Sequence, residues 1–197
     1  MMKKTDNLLD PSTCSSYRGE EAKAMLSGTF RRIVTMDSVD FLDIFLSFLE
    51  TRKIPFCVIG GQAVNAYVEP LVSLDLDVAV AVEELEGFSR ELHDAFQVSL
   101  FPHSVNVSLL GSDLRVQVQT DPRYAEFVQR AQPREVLGRR MPVAEVGDVL
   151  QGKIWEASDP ERKASKRQKD LADIARITEA YPDLRASVPE SILSRLL

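Results

Sequence analysis

The stretch FCVIGGQAVNAYVEPLVSLDLDVAV, residues 56–80, carries the pattern that is most informative about the fold. Its first residues are apolar and partly β-branched, which predicts a short buried strand. The chain then passes through Gly60 and Gly61 into a predicted helix, and a second predicted strand over residues 73–81 carries Asp75 and Asp77 among apolar neighbours. Because carboxylates in an apolar strand are costly unless a partner compensates them, these two aspartates raise the question of what they face.

Asp75 and Asp77 are the first candidate site residues. They lie two positions apart on a strand, so their side chains point to the same face, about 6.6–7 Å apart along the chain. This spacing lets both carboxylates converge on one or two divalent cations, and Mg²⁺ is often held by one or two carboxylates together with substrate phosphates. The alternative is a solvent-facing pair on an edge strand, because the Asp-x-Asp pattern is short and common.

Gly60 and Gly61 are the second candidate feature. A strand that enters a helix through two glycines exposes backbone N–H groups at the positive end of the helix, and the missing Cβ atoms let a phosphate come close. The simpler alternative is a tight turn that needs a positive φ angle. We expect the two strands of this stretch to end on the same side of one sheet, which would place a phosphate cradle beside a metal site.

Hydrophobic periodicity predicts the order of the other elements. It indicates an amphipathic helix within residues 36–54, a helix over 82–96, a hairpin over 104–120, a helix over 121–132, one short strand within 134–144, and helices thereafter. This order is typical of an α/β or α+β core with a C-terminal helical part. We therefore divide the chain into a flexible or loosely docked segment (residues 1–35), a core (36–142) and a helical part packed on it (143–197).

Composition narrows the function classes. A net charge of −6 argues against general coating of nucleic acid, which rests on a basic surface. The two cysteines, Cys14 and Cys57, form no zinc-binding pattern. The chain shows no signal-peptide pattern and no apolar run near the ~20 residues of a membrane span, so we expect a cytoplasmic protein without membrane contact.

The motif as a whole resembles the nucleotidyltransferase superfamily, which has the DNA-polymerase-β-like fold, and especially its small bacterial members, the minimal nucleotidyltransferases and the AbiEii-type toxins. The matching residues are Gly60, Gly61, Ser73, Asp75 and Asp77. The resemblance implies that residues 36–142 form a mixed sheet flanked by helices. It also implies nucleotide binding at the glycines and Ser73, and catalytic aspartates that hold Mg²⁺ or Mn²⁺. The implied reaction transfers a nucleoside monophosphate from an NTP to an acceptor hydroxyl.

A second patch supports the resemblance to the AbiEii-type proteins, which have a lysine on a helix after the core and then a basic helix with an Asp-x-x-Asp pattern. Here Lys153 stands in VLQGKIWEA, and KRQKDLADIARI carries Lys166, Lys169, Asp170 and Asp173. The resemblance implies that Lys153 holds nucleotide phosphates as a catalytic residue and that Lys166, Lys169 and Asp170 orient the nucleotide. The alternative is a solvated helix with ion pairs between successive turns.

The resemblance also implies a third carboxylate on a later strand, between two hydrophobic residues, and the matching position holds Gln117, between Val116 and Val118. A glutamine amide is a poor metal ligand and no general base. Asp113 and Asp121 lie nearby and would serve only if the strand register differs. Two hypotheses follow: a metal-dependent nucleotidyltransferase that acts on RNA, protein or a small molecule, and a non-catalytic nucleotide-binding module, such as a regulatory partner protein in a toxin–antitoxin or defence pair.

Overall fold

A seven-stranded mixed sheet runs through the described part of the chain, residues 38–81 and 85–196 of a computed structural model. The predicted N-terminal segment, residues 1–35, lies outside these ranges. The strands are β1 (Phe56–Ile59), β2 (Asp75–Val80), β3 (Gln97–Phe101), β4 (Ser104–Ser108), β5 (Arg115–Gln119), β6 (Gln132–Val136) and β7 (Arg139–Val143). Their order across the sheet is β3-β4-β5-β2-β1-β7-β6.

Helices flank the sheet and dominate the C-terminal part of the chain. They are α1 (Ser38–Thr51), α2 (Gly60–Asn65), α3 (Leu85–Ala95), α4 (Ala125–Arg130), α5 (Val146–Ser158), α6 (Ala164–Ala180) and α7 (Glu190–Leu193), with 3₁₀ turns at Pro122–Tyr124 and Pro182–Ser187. The predicted α/β class, with a mixed sheet, flanking helices and a helical C-terminal part, is confirmed. Within the described ranges, no helix has the length and apolarity to cross a bilayer.

The direction of β2 differs from expectation. We expected β1 and β2 to end on the same side of the sheet, but β2 runs antiparallel to β1, and Ile59 pairs with Asp77. The connecting helix α2 has only six residues, about 9 Å at 1.5 Å per residue, and the chain enters β2 beside the end of β1 instead of returning to its start. The start of β2 therefore meets the end of β1, and this arrangement still places the glycines beside the aspartates.

Two hairpins extend the predicted sheet. The predicted pairing of β4 with β5 is present, but β3 precedes them as an additional edge strand that pairs with β4 around the turn at Pro102 and His103. The single strand predicted within residues 134–144 is instead the hairpin of β6 and β7, whose turn residues Leu137 and Gly138 have φ angles of 51° and 76°. Both missed strands are edge strands with mostly exposed side chains, so they lack the alternation that marks a half-buried strand.

One hydrophobic core joins the sheet to the helices on both sides. Helix α1 buries Phe41, Phe45 and Phe48 around Phe96, with ring centroids 5.4–6.4 Å apart. Buried residues of α5 and α6 belong to the same cluster: Val149, Leu150, Ile154, Leu171, Ile174 and Ile177. The C-terminal helices therefore hold a fixed position against the sheet, close to the start of β2.

Candidate active site

A cavity of about 410 Å³ lies where β1 ends and β2 begins, between the sheet and helices α5 and α6. Every site residue selected from the sequence lines it: Gly60, Gly61, Ser73, Asp75, Asp77, Lys153, Lys166, Lys169 and Asp170. Asp173 lines it as well. The fold thus gathers residues more than 100 positions apart into one site, and the roles assigned to them stay predictions.

A glycine is required at position 60 for two reasons, its backbone conformation and the closeness of Asp77. Its φ angle is +63°, and a Cβ atom at this position would lie 2.1 Å from Oδ2 of Asp77. Gly61 is different, because a Cβ placed there would meet no atom within 4 Å. Both glycines lie in the first turn of α2 rather than at the end of β1. The first glycine therefore makes room for the Asp77 carboxylate, and the second leaves open space beside it.

Ser73 and Gln62 fix the entry of β2. The Ser73 hydroxyl lies 3.3 Å from both the backbone N–H and the backbone carbonyl of Asp75. The buried Gln62 side chain of α2 donates a hydrogen bond of 2.9 Å to the Ser73 carbonyl. Ser73 thus holds the backbone that presents Asp75.

Asp77 differs from the other carboxylates of the cavity because it has no ion-pair partner among the described residues. The others are paired: Asp75 with Arg115 at 3.1 Å, Asp148 with Arg130 at 2.8 Å, Glu156 with Arg162, and Asp170 and Asp173 with Lys153 at 3.0 and 2.8 Å. Loss of hydration raises the pKa of Asp77 to about 6; the charge of Lys153 opposes this rise, and the charge of Asp75 adds to it. Asp77 is therefore the carboxylate best placed to accept a cation.

The raised pKa of Asp77 predicts a pH-dependent cost to stability. Its pKa is about 6 in the folded protein and about 4 when unfolded, so the unfolded state ionises first as pH rises. Wild-type stability should fall between pH 4 and 6 relative to Asp77→Asn, which has no charge to bury. Because Asp77 is only partly buried, we expect Asp77→Asn to be more stable by about 1–2 kcal/mol at pH 7.5 and nearly equal at pH 4.

Urea unfolding at both pH values measures this difference. Asp75→Asn is the matched control, since the Asp75 side chain is half exposed and paired with Arg115, and we expect it to change stability by no more than about 0.5 kcal/mol. A gap between wild type and Asp77→Asn that is the same at pH 4 and pH 7.5 would contradict the assignment.

Lys153 is buried and joins helix α5 to helix α6. Its Nζ contacts Asp170 at 3.0 Å and Asp173 at 2.8 Å. Burial alone would lower the pKa of Lys153, but the charges of Asp173 and Asp170 outweigh it and hold the pKa above its ordinary value. Arg162 adds an ion pair of 2.9 Å to Asp170, and Arg176 adds one of 2.8 Å to Asp173. The predicted nucleotide contact Asp170 therefore also positions Lys153.

Lys166 and Lys169 are exposed on α6 and form no ion pair with any residue in the described ranges. Asp170 and Asp173, on the same helix, are buried against Lys153. The helix thus separates its charges: the carboxylates face inward, and the two lysines stand at the cavity with their charges available for a ligand.

Gln117 occupies the place of the expected third carboxylate. Strand β5 runs parallel to β2, Gln117 pairs with Asp77, and its side chain lines the cavity. Neither Asp113 nor Asp121 is among the described lining residues, and Asp121 is engaged with Arg123 at 2.7 Å. In the described ranges, no three His, Cys, Asp or Glu side chains form a group that could hold a metal ion. The sheet therefore offers Asp75 and Asp77 as its only carboxylates at this point of the described cavity.

The residues present fit a divalent cation that arrives with phosphates. Two carboxylates supply hard oxygen ligands, and Asp77 has a free carboxylate group held in the space that Gly60 leaves. Mg²⁺ usually keeps several waters and takes one or two carboxylates plus substrate phosphates, so two carboxylates suffice for that mode. The amide oxygen of Gln117 could contribute only a weak additional contact.

Several lining residues were not selected from the sequence, among them Arg115, Tyr124, Glu156 and Arg162. Two of them carried a signal. Arg115 stands two positions before Gln117 and so shares its face of β5, and Glu156 follows Lys153 by one helical turn. Arg162 lies between α5 and α6, and Tyr124 ends a 3₁₀ turn, so only the tertiary fold places them.

Solved structures of nucleotidyltransferases share this architecture. The chain is similar to the antibiotic-resistance factor ANT(2″)-Ia in solution, with a TM-score of 0.52, 17% identity, and coverage of 81% of this chain and 94% of that one. It is also similar to the crystal structure of ANT(2″)-Ia in complex with adenylyl-2″-tobramycin, with a TM-score of 0.52, 16% identity, and coverage of 81% of this chain and 99% of that one. For an antigenic nucleotidyltransferase-like protein from Paracoccidioides brasiliensis, the TM-score is 0.50, the identity 16%, and the coverage 85% of this chain and 86% of that one.

These comparisons establish the fold. The chain has a nucleotidyltransferase-like fold, as the sequence resemblance predicted, while the narrower likeness to AbiEii-type toxins stays a prediction. A scan against protein-family models and a search of curated proteins found no match. At identities of 16–17%, the neighbours say nothing of the substrate of this chain.

Proposed function

We propose that the cavity binds an NTP together with Mg²⁺ or Mn²⁺ and transfers its nucleoside monophosphate slowly to an acceptor hydroxyl. The observation that carries this proposal is the unpaired Asp77 carboxylate, which lies against Gly60 in the same cavity as Lys166 and Lys169. We place the reaction in the cytoplasm, where NTPs are available and a buried thiol such as that of Cys57 stays reduced.

Each part of the NTP has a counterpart in the cavity. Asp75 and Asp77 would hold the cation, which neutralises phosphate charge and orients the phosphates when bound. Lys166 and Lys169 would contact the triphosphate from α6, and the buried Lys153 would add a fixed positive charge from α5. The open space at Gly61 lets a phosphate approach the backbone.

The transfer forms a bond between the acceptor oxygen and the α-phosphorus and breaks the bond to pyrophosphate. The acceptor proton passes to water, because the amide of Gln117 cannot take it, Asp77 would hold the cation, and the other lining carboxylates are in ion pairs. A positioned general base contributes about 10²–10⁴-fold to such a step. The transfer should therefore be slow.

Transfer of label from an α-³²P-labelled NTP tests the catalytic part. Each of the four NTPs is incubated with Mg²⁺, the protein and candidate acceptors, namely RNA, protein and small molecules. The proposal predicts a labelled acceptor with wild type and none with the double variant Asp75→Asn, Asp77→Asn. Equal labelling by both proteins would contradict it.

A second function, non-catalytic nucleotide binding, is favoured by one observation, the pairing of Gln117 rather than a carboxylate with Asp77. In this case the protein would act as a regulatory module, for example with a partner protein of a toxin–antitoxin or defence pair. NTP binding without transfer to any acceptor distinguishes it from the first function.

The ion pair between Arg115 and Asp75 predicts that removing Arg115 raises the affinity of the cavity for a metal ion. Its guanidinium lies 3.1 Å from Asp75, and both side chains are at least half exposed. Exposed pairs of this kind contribute about 0.2–1 kcal/mol, so a cation can displace the guanidinium at small cost. We expect Arg115→Gln to bind Mn²⁺ several-fold more tightly in the absence of nucleotide, measured by electron paramagnetic resonance.

Arg139→Gln is the matched control for this measurement. Arg139 also forms an exposed ion pair, with Asp43, which is not among the described lining residues of the cavity. Its replacement should leave Mn²⁺ affinity at the wild-type value. An Arg115→Gln protein that binds Mn²⁺ no better than Arg139→Gln would show that Asp75 is not a metal ligand.

A further inference from the structure

The cavity has two chemically different walls. The helical wall, from α5 to α6, carries charged side chains such as Glu156, Arg162, Lys166 and Lys169. The opposite wall comes from β3, β4 and β5, and we call it the strand wall. Arg115 apart, its polar residues are uncharged: Ser99, Asn106, Ser108, Gln117 and Gln119. The charge of the phosphates matches the helical wall, which leaves the strand wall for a different part of the substrates.

A straight row of polar side chains crosses the strand wall. Ser99 pairs with Asn106, Asn106 with Gln117, and Gln117 with Asp77. Paired residues of neighbouring strands share a face, and strands lie about 4.8 Å apart, so the row from Ser99 to Gln117 spans about 10 Å. The row therefore leads from the edge of the sheet directly to the proposed cation site.

The hydrogen-bonding capacity of this row is unused. Within the described part of the chain, the side chains of Ser99, Asn106, Ser108 and Gln117 make no hydrogen bond to another protein group, and no buried side-chain nitrogen or oxygen there lacks a partner. Their polar atoms therefore reach the cavity rather than the interior. Hydroxyl and amide groups both donate and accept, so together they match a ligand with several hydroxyls.

Phe101 adds an apolar surface on β3, next to the strand wall but outside the described lining residues of the cavity. It lies two positions after Ser99, so it shares the same face of β3, and 54% of its surface is exposed. An exposed aromatic ring beside neutral hydrogen-bonding groups suits a sugar ring, which has apolar C–H faces and hydroxyls around its rim. From Ser99 to Gln117 the row itself carries no charged side chain, so charged partners such as Asp77 and Arg115 lie only at its inner end.

The row is also unusual for a solvated sheet face. The other face of β4 and β5 is buried core, formed by Val105, Val107, Val116 and Val118. Edge strands of sheets are commonly protected by charged side chains, lysine above all, and β3 is such an edge strand. The three strands instead present serine, asparagine and glutamine beside the cation site, which favours ligand binding over mere solvation.

We propose that the strand wall binds the acceptor as a neutral, hydroxyl-rich sugar ring and directs one hydroxyl toward Asp77. This assignment names the acceptor class of the proposed function, and for transfer it rests on that function. Two sources share this chemistry, a free saccharide and the ribose of a nucleoside, and the experiment separates them.

Saturation-transfer NMR with small sugars tests the assignment without any nucleotide. The probes are methyl glucopyranoside, methyl ribofuranoside, glucosamine and glucose 6-phosphate, each at the same concentration. We expect a neutral sugar to receive saturation about fivefold or more above both charged sugars. A stronger signal from the glucoside indicates a saccharide acceptor, and a stronger signal from the riboside indicates a nucleoside.

Asn106→Asp supplies the decisive variant, because it keeps the shape of the side chain and adds a charge. It should lower the saturation received by the neutral sugar about fivefold or more and make glucosamine the strongest ligand. Leu100→Ala, an exposed residue on the opposite face of β3, is the control that should keep the wild-type order. Unfolding midpoints of both variants show whether each is folded.

Three outcomes overturn the assignment: no sugar receives saturation, charged and neutral sugars do so equally, or Asn106→Asp leaves the order unchanged while folded. Failure of the proposed function is distinguishable, since NTP binding is measured with no sugar present. A protein that binds neutral sugars but no NTP keeps the strand-wall site and loses the proposed reaction.

Discussion

Replacing Lys153 with methionine should lower the free energy of unfolding by about 3 kcal/mol, because it leaves two buried carboxylates without their shared cation. Asp170 and Asp173 would keep only Arg162 and Arg176 as partners, at 2.9 and 2.8 Å. Methionine preserves most of the apolar stem, so the loss reports the charge rather than a cavity. Urea unfolding at pH 7.5 measures it.

The control for Lys153→Met is Lys166→Met, on the exposed face of α6. A surface change of this kind should stay within about 0.5 kcal/mol. The double variant Lys153→Met, Asp170→Asn should recover part of the loss, since it removes one of the two uncompensated charges. If Lys153→Met is as stable as Lys166→Met, the ion pairs around Lys153 do not join α5 to α6.

Replacing Gln117 with glutamate should raise the rate of label transfer by about 100-fold, the lower end of what a positioned general base contributes. Gln117 pairs with Asp77 and lines the cavity, so the new carboxylate would stand beside the proposed cation and acceptor hydroxyl. The measurement is transfer of α-³²P label with wild type and variant at equal NTP and Mg²⁺.

Gln119→Glu is a matched control for this gain. Gln119 lies on the same strand, shares the face of Gln117 and lines the cavity, but it pairs with Ala79 instead of Asp77. It adds the same charge one step away from the aspartates and, because Gln119 also belongs to the strand wall, should give no gain in rate over wild type. Equal rates for the two glutamate variants would show that Gln117 does not occupy the place of a catalytic carboxylate.

The local motif was predictable because it depends on short-range geometry. Period-two alternation fixes Asp75 and Asp77 on one face of β2, and the need for a residue without Cβ marks Gly60. The place of Gln117 at the position of a third carboxylate was implied by the family resemblance, because alternation within β5 fixes the face of Gln117 but not its partner on β2. These residues meet wherever β1, β2 and β5 are neighbours in one sheet.

Strand direction and ion pairing could not be predicted in the same way. Whether β2 runs parallel or antiparallel to β1 depends on how far α2 extends, and helix ends are poorly defined by sequence pattern. The pairing of Lys153 with Asp170 and Asp173 depends on how α5 packs against α6. The ion pair between Arg115 and Asp75 depends on the register of β2 against β5, which no local pattern specifies.

Calorimetric titration of the protein with each NTP and Mg²⁺ tests the central claim most directly. We expect at least one NTP to bind, and the double variant Asp75→Asn, Asp77→Asn to bind it about 100-fold more weakly or not at all, since both proposed cation ligands are lost. Asp113→Asn, an exposed aspartate that is not among the described lining residues, should bind as wild type does. No binding of any NTP, or equal binding by wild type and the double variant, would contradict it.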